Sequence, residues 1–342
     1  MINNRVQNYA KKTFLAMDNR HKSVKKVFPN CIDNISEKTG FFMGTKEVST
    51  ISGEFISELE TLGYQHHTVD KASHSGRAID LDLINPLTGG YMTGSSSGTA
   101  LNVFLGINDL GIGTDGGGSV LAPAISLNLY GLIHPQLGKS ELNQVSQKVS
   151  TDGIAFTPSL GLITRELSHI EAVMQHFFLV SEENDDIITI ILDETIDAEK
   201  EIITHQKIEI TKKNLEGKNI KSREELILDL NQLLNQADIV ISKEGPVDFS
   251  GFGDTIFGHF TDATKENQNA ANKGFIRVAN MVGAISLVIP TGNLSEGYVL
   301  MAKNAPTAIY NLFTTAKCLI KEEDALVDNY FRDLSKYFDM GI

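Results

Sequence analysis

A chain of 342 residues with 41% hydrophobic and 21% charged content is long enough for one large α/β domain or two ordinary ones. Its net charge of −13, with no Lys/Arg-rich run, argues against nucleic-acid or anionic-membrane binding as the main task. Two cysteines, Cys31 and Cys318, offer neither a disulfide framework nor metal-ligand spacing and read as buried thiols of a cytoplasmic chain. The N-terminus lacks the apolar core and cleavage site of a secretory signal, and no run reaches the ~18–20 apolar residues of a membrane span.

In chain order, Val6, Tyr9, Ala10 and Phe14 recur at helical spacing and predict a helix over 2–17. Ser52 as N-cap, Phe55, Ile56, Leu59 and Leu62 on one side, and Gly63 as a stop predict a second helix. Ala100–Leu105 reads as a short buried helix, Asp109–Thr114 as a buried strand, and Ser119–Leu129 as a helix with Pro123 in its first turns. Glu166–Phe178 is an amphipathic helix that ends before the acidic break 182–186, and Ile187–Leu192 is a strand. Ala198–Asn214 is mixed. Arg223–Leu234 reads as helix and Asp238–Ser242 as strand. Residues 245–262 are Gly-rich without a period and predict a loop. Gln268–Val282 is expected to be helical, Ile285–Ile289 and Gly297–Ala302 to be strands, and Ala305–Cys318 and Glu322–Phe338 to be the closing helices. With no repeat or low-complexity linker, this alternation predicts one domain over 1–342, with a mixed, mostly parallel central sheet covered by helices on both faces.

The segment Thr93–Pro123, TGSSSGTALNVFLGINDLGIGTDGGGSVLAP, carries two Ser/Gly-rich loops around one short apolar stretch. Gly116, Gly117 and Gly118 bring no side chain and cost backbone entropy. They let the backbone turn sharply and aim several N–H groups at one point, and Ser119 follows them. That is the local chemistry of an oxyanion hole with its nucleophile attached.

This stretch resembles the signature of the amidase signature family, a GGSSGGS loop followed by G-[TS]-D-x-G-G-S-[IV]. Gly94-Ser95-Ser96-Ser97-Gly98-Thr99-Ala100 matches the first part with substitutions, and Gly113 to Val120 matches the second. Tyr130–Pro135 resembles the family's G-x-K-P-T turn, Gly161–Arg165 its G-P-L-T-R segment, and Phe275–Gly292 its N-x-x-G-x-P-A-I-S-V-P-x-G segment, with Asn280, Gly283, Pro290 and Gly292 in register. The resemblance implies an amidase-signature α/β fold and hydrolysis of linear amides. It further implies Ser119 as nucleophile, Ser95 after a cis peptide bond as proton relay, and Gly116, Gly117 and Gly118 as oxyanion donors. Thr114, Asp115 and Ser96 would support the loops. No metal or cofactor is implied.

A distant lysine is the base in that family, and two placements compete. Gly40 to Glu47 resembles G-x-P-x-x-x-K-D and puts the base at Lys46. Cys31-Ile32-Asp33-Asn34-Ile35 resembles K-D-N-I with Ile32 in the lysine's place, which would leave no base. Thr13–Asp18 resembles the helix end that precedes this strand. The 28 positions from Asp18 to Lys46 accommodate the required helix and loop, whereas 14 positions to Ile32 do not. Lys46 is therefore preferred over Ile32, and over Lys25, Lys26 and Lys38.

The leading expectation is an amide hydrolase acting on a small-molecule amide. The alternatives are a catalytically inactive binding protein and an amidotransferase-type subunit working with a partner; self-association stays open. One of Ser95–Ser97 is expected to cap the following helix. His66, His67 and His74 lack ligand spacing and are expected to be exposed, His134 to pack, and His259 carries no assignment.

Overall fold

The computed structural model describes residues 2–34, 40–139, 147–178, 180, 187–202, 207–321 and 325–332. Its strands are β1 (Val24–Val27), β2 (Phe41–Lys46), β3 (Tyr64–Asp70), β4 (Ile79–Ile84), β5 (Tyr91–Thr93), β6 (Leu110–Asp115), β7 (Tyr130–His134), β8 (Lys148–Val149), β9 (Ala155–Phe156), β10 (Ser159–Thr164), β11 (Ile188–Asp193), β12 (Ile208–Lys213), β13 (Ile239–Glu244), β14 (Ile285–Pro290) and β15 (Gly297–Ala302). Its helices are α1 (Ile2–Asp18), α2 (Gly53–Thr61), α3 (Ser97–Phe104), α4 (Leu121–Ser126), α5 (Leu167–Phe177), α6 (Glu199–Ile202), α7 (Arg223–Leu234), α8 (Asp262–Asn269), α9 (Ala308–Lys317) and α10 (Ala325–Val327).

Eleven strands join one sheet in the order β1-β3-β2-β6-β10-β7-β14-β15-β13-β11-β12. The sheet is mixed, as expected, but it is not mostly parallel. Four pairings are parallel: β3 with β2, β2 with β6, β13 with β11, and β11 with β12. The other six are antiparallel. The reason is connection length. The strands β2 and β3 are joined through α2, and a crossover of that kind returns the chain parallel. Between β14 and β15 only residues 291–296 intervene, so that pair closes as an antiparallel hairpin.

Strand residues alternate between two cores. Ile239, Ile241, Ile285, Leu287 and Leu300 pack with residues of α2, α5 and α9, while Val240, Val288, Val299 and Met301 pack with residues of α3, α4 and α7. Burial on both faces is why these strands are continuous apolar runs rather than alternating ones.

The local signals at the two ends of α2 and the start of α7 hold. The Ser52 hydroxyl accepts from the Phe55 N–H at 3.2 Å, and Gly63 takes φ +94° as the stop of α2. The helix α7 starts at Arg223, with Ser222 and Glu225 forming a capping box. The helix expected over Ser119–Leu129 is shorter, Leu121–Ser126.

The helix expected over Gln268–Val282 does not form. The helix α8 ends at Asn269, Asn272 takes φ +52°, and only a 3-10 turn, Phe275–Arg277, follows. Glu244, at the end of β13, accepts the N–H of Gly274 and, at 2.9 Å, that of Phe275. Backbone donors that a continuing helix would use internally are spent on a buried carboxylate instead. The closing helix expected over Glu322–Phe338 is described only at α10 and a π-turn, Asp328–Arg332. The rest of it, the acidic break 182–186, Ile35 and Lys38 lie outside the described residues.

Candidate active site

The parallel pairs on either side of β2 carry Lys46 inward, its backbone in register with Asp70 of β3 and its neighbour Thr45 with Ile112 of β6. Its side chain is buried, and its Nζ donates to Ser95 Oγ at 2.7 Å, to Thr114 Oγ1 at 3.0 Å and to the Thr114 carbonyl at 3.3 Å. Loss of solvation disfavours the ammonium and brings the Lys46 pKa down from 10.5 to about 7; nearby Asp115 opposes this and Lys148 reinforces it. Of the two competing placements, the structure brings Lys46 to the serine. Ile32 packs instead against the small cluster of Tyr9, Cys31 and Phe42.

The Gly94–Ser95 peptide is cis. A Cβ on Gly94 would lie 2.4 Å from the Arg77 carbonyl oxygen, so the close approach of the two backbones requires glycine there. The three serines separate by function. Ser95 faces Lys46. Ser97 Oγ donates to Asp80 at 2.6 Å. Ser96 sits at the N-cap of α3 but makes no side-chain cap bond, and its buried hydroxyl has no partner among the described residues. The expected serine cap is therefore not made: each hydroxyl is directed inward. The Ser96 N–H donates to the Ser119 carbonyl at 3.1 Å and ties the two loops together.

Asp115 organises the glycine loop. Its carboxylate accepts the N–H of Gly118 at 2.8 Å, of Val120 at 2.6 Å and of Leu121 at 3.4 Å. Burial raises its pKa while those three N–H groups and Lys46 pull it back. Gly118 departs from its expected part as an oxyanion donor, since its N–H is already committed to Asp115; it also takes φ +98°. Thr114 acts on Lys46 rather than on the loop. The Phe156 ring lies over Gly116, 2.2 Å from where a Cβ would be.

A cavity of about 30 Å³ opens beside the two loops, lined in part by Gly94, Gly117 and Gly118. Gly253 and Thr255 contribute to it, which puts the predicted 245–262 loop beside the site. Arg223, Lys273 and Arg277 also line it. Sequence reasoning missed these three; they lie more than 100 positions from Ser119, and no local motif marks them.

Among the described residues no histidine lines the cavity or bonds Lys46 or Ser95. His67 is fully buried between Thr13 and Asn108, at 3.1 and 3.0 Å, which corrects the expectation of exposure; His66 is half-buried on Thr45, and His74 is exposed. His134 packs against Phe178, its Nδ1 accepting the Gln136 N–H at 3.0 Å, and His259 is exposed. Among the described residues no cluster of His, Cys, Asp or Glu could hold a metal, and no helix is long and apolar enough to cross a membrane. Asn280 bridges to Ser159 and, at 3.0 Å, to the Thr157 carbonyl.

Residues 84–208, which include Ser95 and Ser119 but not Lys46, match the Amidase family model. No curated protein matches the sequence. The fold is similar to that of an amidase crystal structure, with TM-score 0.64 and 14% identity, over 93% of this chain and 96% of that one. It is similar to 6-aminohexanoate cyclic dimer hydrolase complexed with substrate, with TM-score 0.65 and 13% identity, over 94% and 96%. It is also similar to a glutamyl-tRNA(Gln) amidotransferase subunit from Thermotoga maritima, with TM-score 0.59 and 14% identity, over 92% of each chain. A segment of this chain thus matches the Amidase family model, and its fold over more than nine-tenths of its length is that of the amidase structures.

Proposed function

We propose that this chain hydrolyses amide bonds with Ser119 as nucleophile, Ser95 as proton relay and Lys46 as base. The observation that carries the reading is the 2.7 Å contact between a fully desolvated Lys46 amine and Ser95 Oγ, in a lysine whose pKa has dropped to about 7. A neutral amine at that position is what a serine needs in order to lose its proton near neutral pH. The 3.1 Å Ser96–Ser119 backbone bond supports the pairing of the two loops.

Ser119 Oγ attacks the amide carbonyl and passes its proton to Ser95 Oγ, which passes its own to Lys46 Nζ. The carbonyl oxygen becomes an oxyanion facing the N–H groups of Gly116, Gly117 and Ser119; losing one such donor typically slows turnover by about 10²–10³. The relay then runs backwards: Lys46 returns a proton through Ser95 to the leaving nitrogen, and the C–N bond breaks. Water, deprotonated by the same relay, attacks the Ser119 ester and releases a carboxylic acid. Linear amides are the proposed substrates, and Asp115 serves by holding the loop.

Labelling with a fluorophosphonate, read by intact mass, tests this. One adduct on wild type, absent in Ser119→Ala and slowed at least 100-fold in Lys46→Ala, is expected. Unlabelled but folded wild type would overturn the hydrolase reading in favour of an inactive binding protein, and labelling that needs a co-purified second chain would favour the amidotransferase-subunit reading.

A further inference from the structure

The cavity beside the glycine loop is built for a small anion. Its volume of about 30 Å³ corresponds to about two water-sized occupants at ~10–15 Å³ each, which suits a carboxylate and not an extended apolar chain. Among the described residues three cations line it, Arg223, Lys273 and Arg277, and no Asp or Glu does, in a chain whose net charge is −13. Ligand sites are usually lined mainly by apolar side chains; here the apolar contribution is limited to Ala78, Ala122 and Ile276.

The three cations differ in what they have left to offer. Lys273 Nζ makes no hydrogen bond of good geometry among the described residues, but its charge is neutralised by Asp248 at 2.6 Å. Arg277 spends its guanidinium on the carbonyls of Lys218, Lys221 and Gly274, at 3.0, 2.7 and 3.4 Å. Arg223 gives Nη1 to Asp152 at 2.9 Å, but its buried Nε–H has no partner among the described residues. A buried donor without a partner carries a desolvation penalty that a bound acceptor would relieve. The Arg223 guanidinium carbon is also 4.0 Å from where a Cβ on Gly117 would stand, so its charge lies against the loop that faces the reacting carbonyl.

We infer that the substrate of this site carries a carboxylate a few bonds from the scissile amide, and that Arg223 recognises it. The planar five-donor fork of arginine suits a carboxylate that approaches beside an existing ion pair. The inference rests on the proposed hydrolase reading for its location, but recognition is measurable without turnover.

Calorimetric titration of Ser119→Ala enzyme with succinamate, an anionic half-amide, and with succinamide, its neutral counterpart, tests it. Succinamate is expected to bind at least tenfold more tightly, with affinity falling as salt rises. The preference should collapse in Ser119→Ala/Arg223→Gln and partly return with Arg223→Lys. Asp152→Asn breaks the same ion pair but keeps the guanidinium, and should retain the preference. Equal binding of the two ligands, or loss of the preference in Asp152→Asn as large as in Arg223→Gln, would overturn the inference. Failure of fluorophosphonate labelling with the binding preference intact would instead count against the hydrolase reading alone.

Discussion

Lys46→Met separates a neutral buried lysine from an ordinary one by its effect on stability. Methionine matches the length of the side chain and removes its charge and donors. Burial lowers the Lys46 pKa from 10.5 to about 7, and at about 1.36 kcal/mol per pKa unit the penalty for a charged amine here is about 5 kcal/mol. A folded-state pKa below the unfolded one means that the unfolded chain binds more protons between about pH 7 and 10.5. The penalty is therefore complete below about pH 7, and wild-type stability rises across that window as the penalty disappears. Against its removal stand the three lost contacts to Ser95 and Thr114, at about 1 kcal/mol each. Lys46→Met should thus be about 2 kcal/mol more stable than wild type at pH 6–7, and about 1 kcal/mol less stable by pH 9. Urea unfolding of both proteins at pH 6, 7, 8 and 9 measures this. A difference that stays constant across the series would mean a lysine of ordinary pKa and would refute the reasoning. The same variant should react with fluorophosphonate at least about 100-fold more slowly, the usual size of a lost general base.

The pH–rate profile of wild-type labelling should show an acid limb near pH 7, falling tenfold per unit below it as Lys46 protonates; a limb near pH 5 would point to another base. Asp115→Asn keeps only one of the two acceptor oxygens that serve three backbone N–H groups and turns its NH2 toward the others; it should cost about 1–3 kcal/mol in urea unfolding, with slower labelling because the glycine loop loosens. Gly116→Ala should abolish labelling because its methyl meets the Phe156 ring, and adding Phe156→Ala should restore it; no rescue would mean that the loop fails for another reason. Gly98→Ala places a methyl 2.6 Å from the Lys71 carbonyl oxygen and 2.7 Å from that of Ser23 and should destabilise by about 1–3 kcal/mol or more, read by thermal unfolding.

What could be read from the chain alone was local. The cap and stop of α2 involve residues only a few positions apart, Ser52 to Phe55 and Gly63. The start of α7 is marked by Ser222 and Glu225 three residues apart. Both site loops announce themselves by residue types that have no packing use, and the loop over 245–262 by its glycines. These features rest on hydrogen bonds and dihedral angles within one turn of chain, so a short window of sequence determines them.

Tertiary structure decided whatever depends on which strand lies beside which. The order β3-β2-β6 turns Lys46 from one of several candidate lysines into a buried amine 2.7 Å from Ser95, because only desolvation by the surrounding sheet and loops lowers its pKa. The balance of antiparallel over parallel pairs follows from connection geometry that periodicity does not report. The helix expected over Gln268–Val282 gives way because Glu244, some 30 positions earlier, captures the N–H groups of Gly274 and Phe275. Asp115 likewise captures the Gly118 N–H, which the glycine run alone would leave free. Arg223 could be read only as the first residue of a helix; packing of α7 against β13 and the Phe275–Arg277 turn brought its guanidinium beside Gly117 and into the cavity lining. Types of residue are written in the chain, whereas their charge states and free hydrogen-bonding groups arise only when distant segments exclude water from one another.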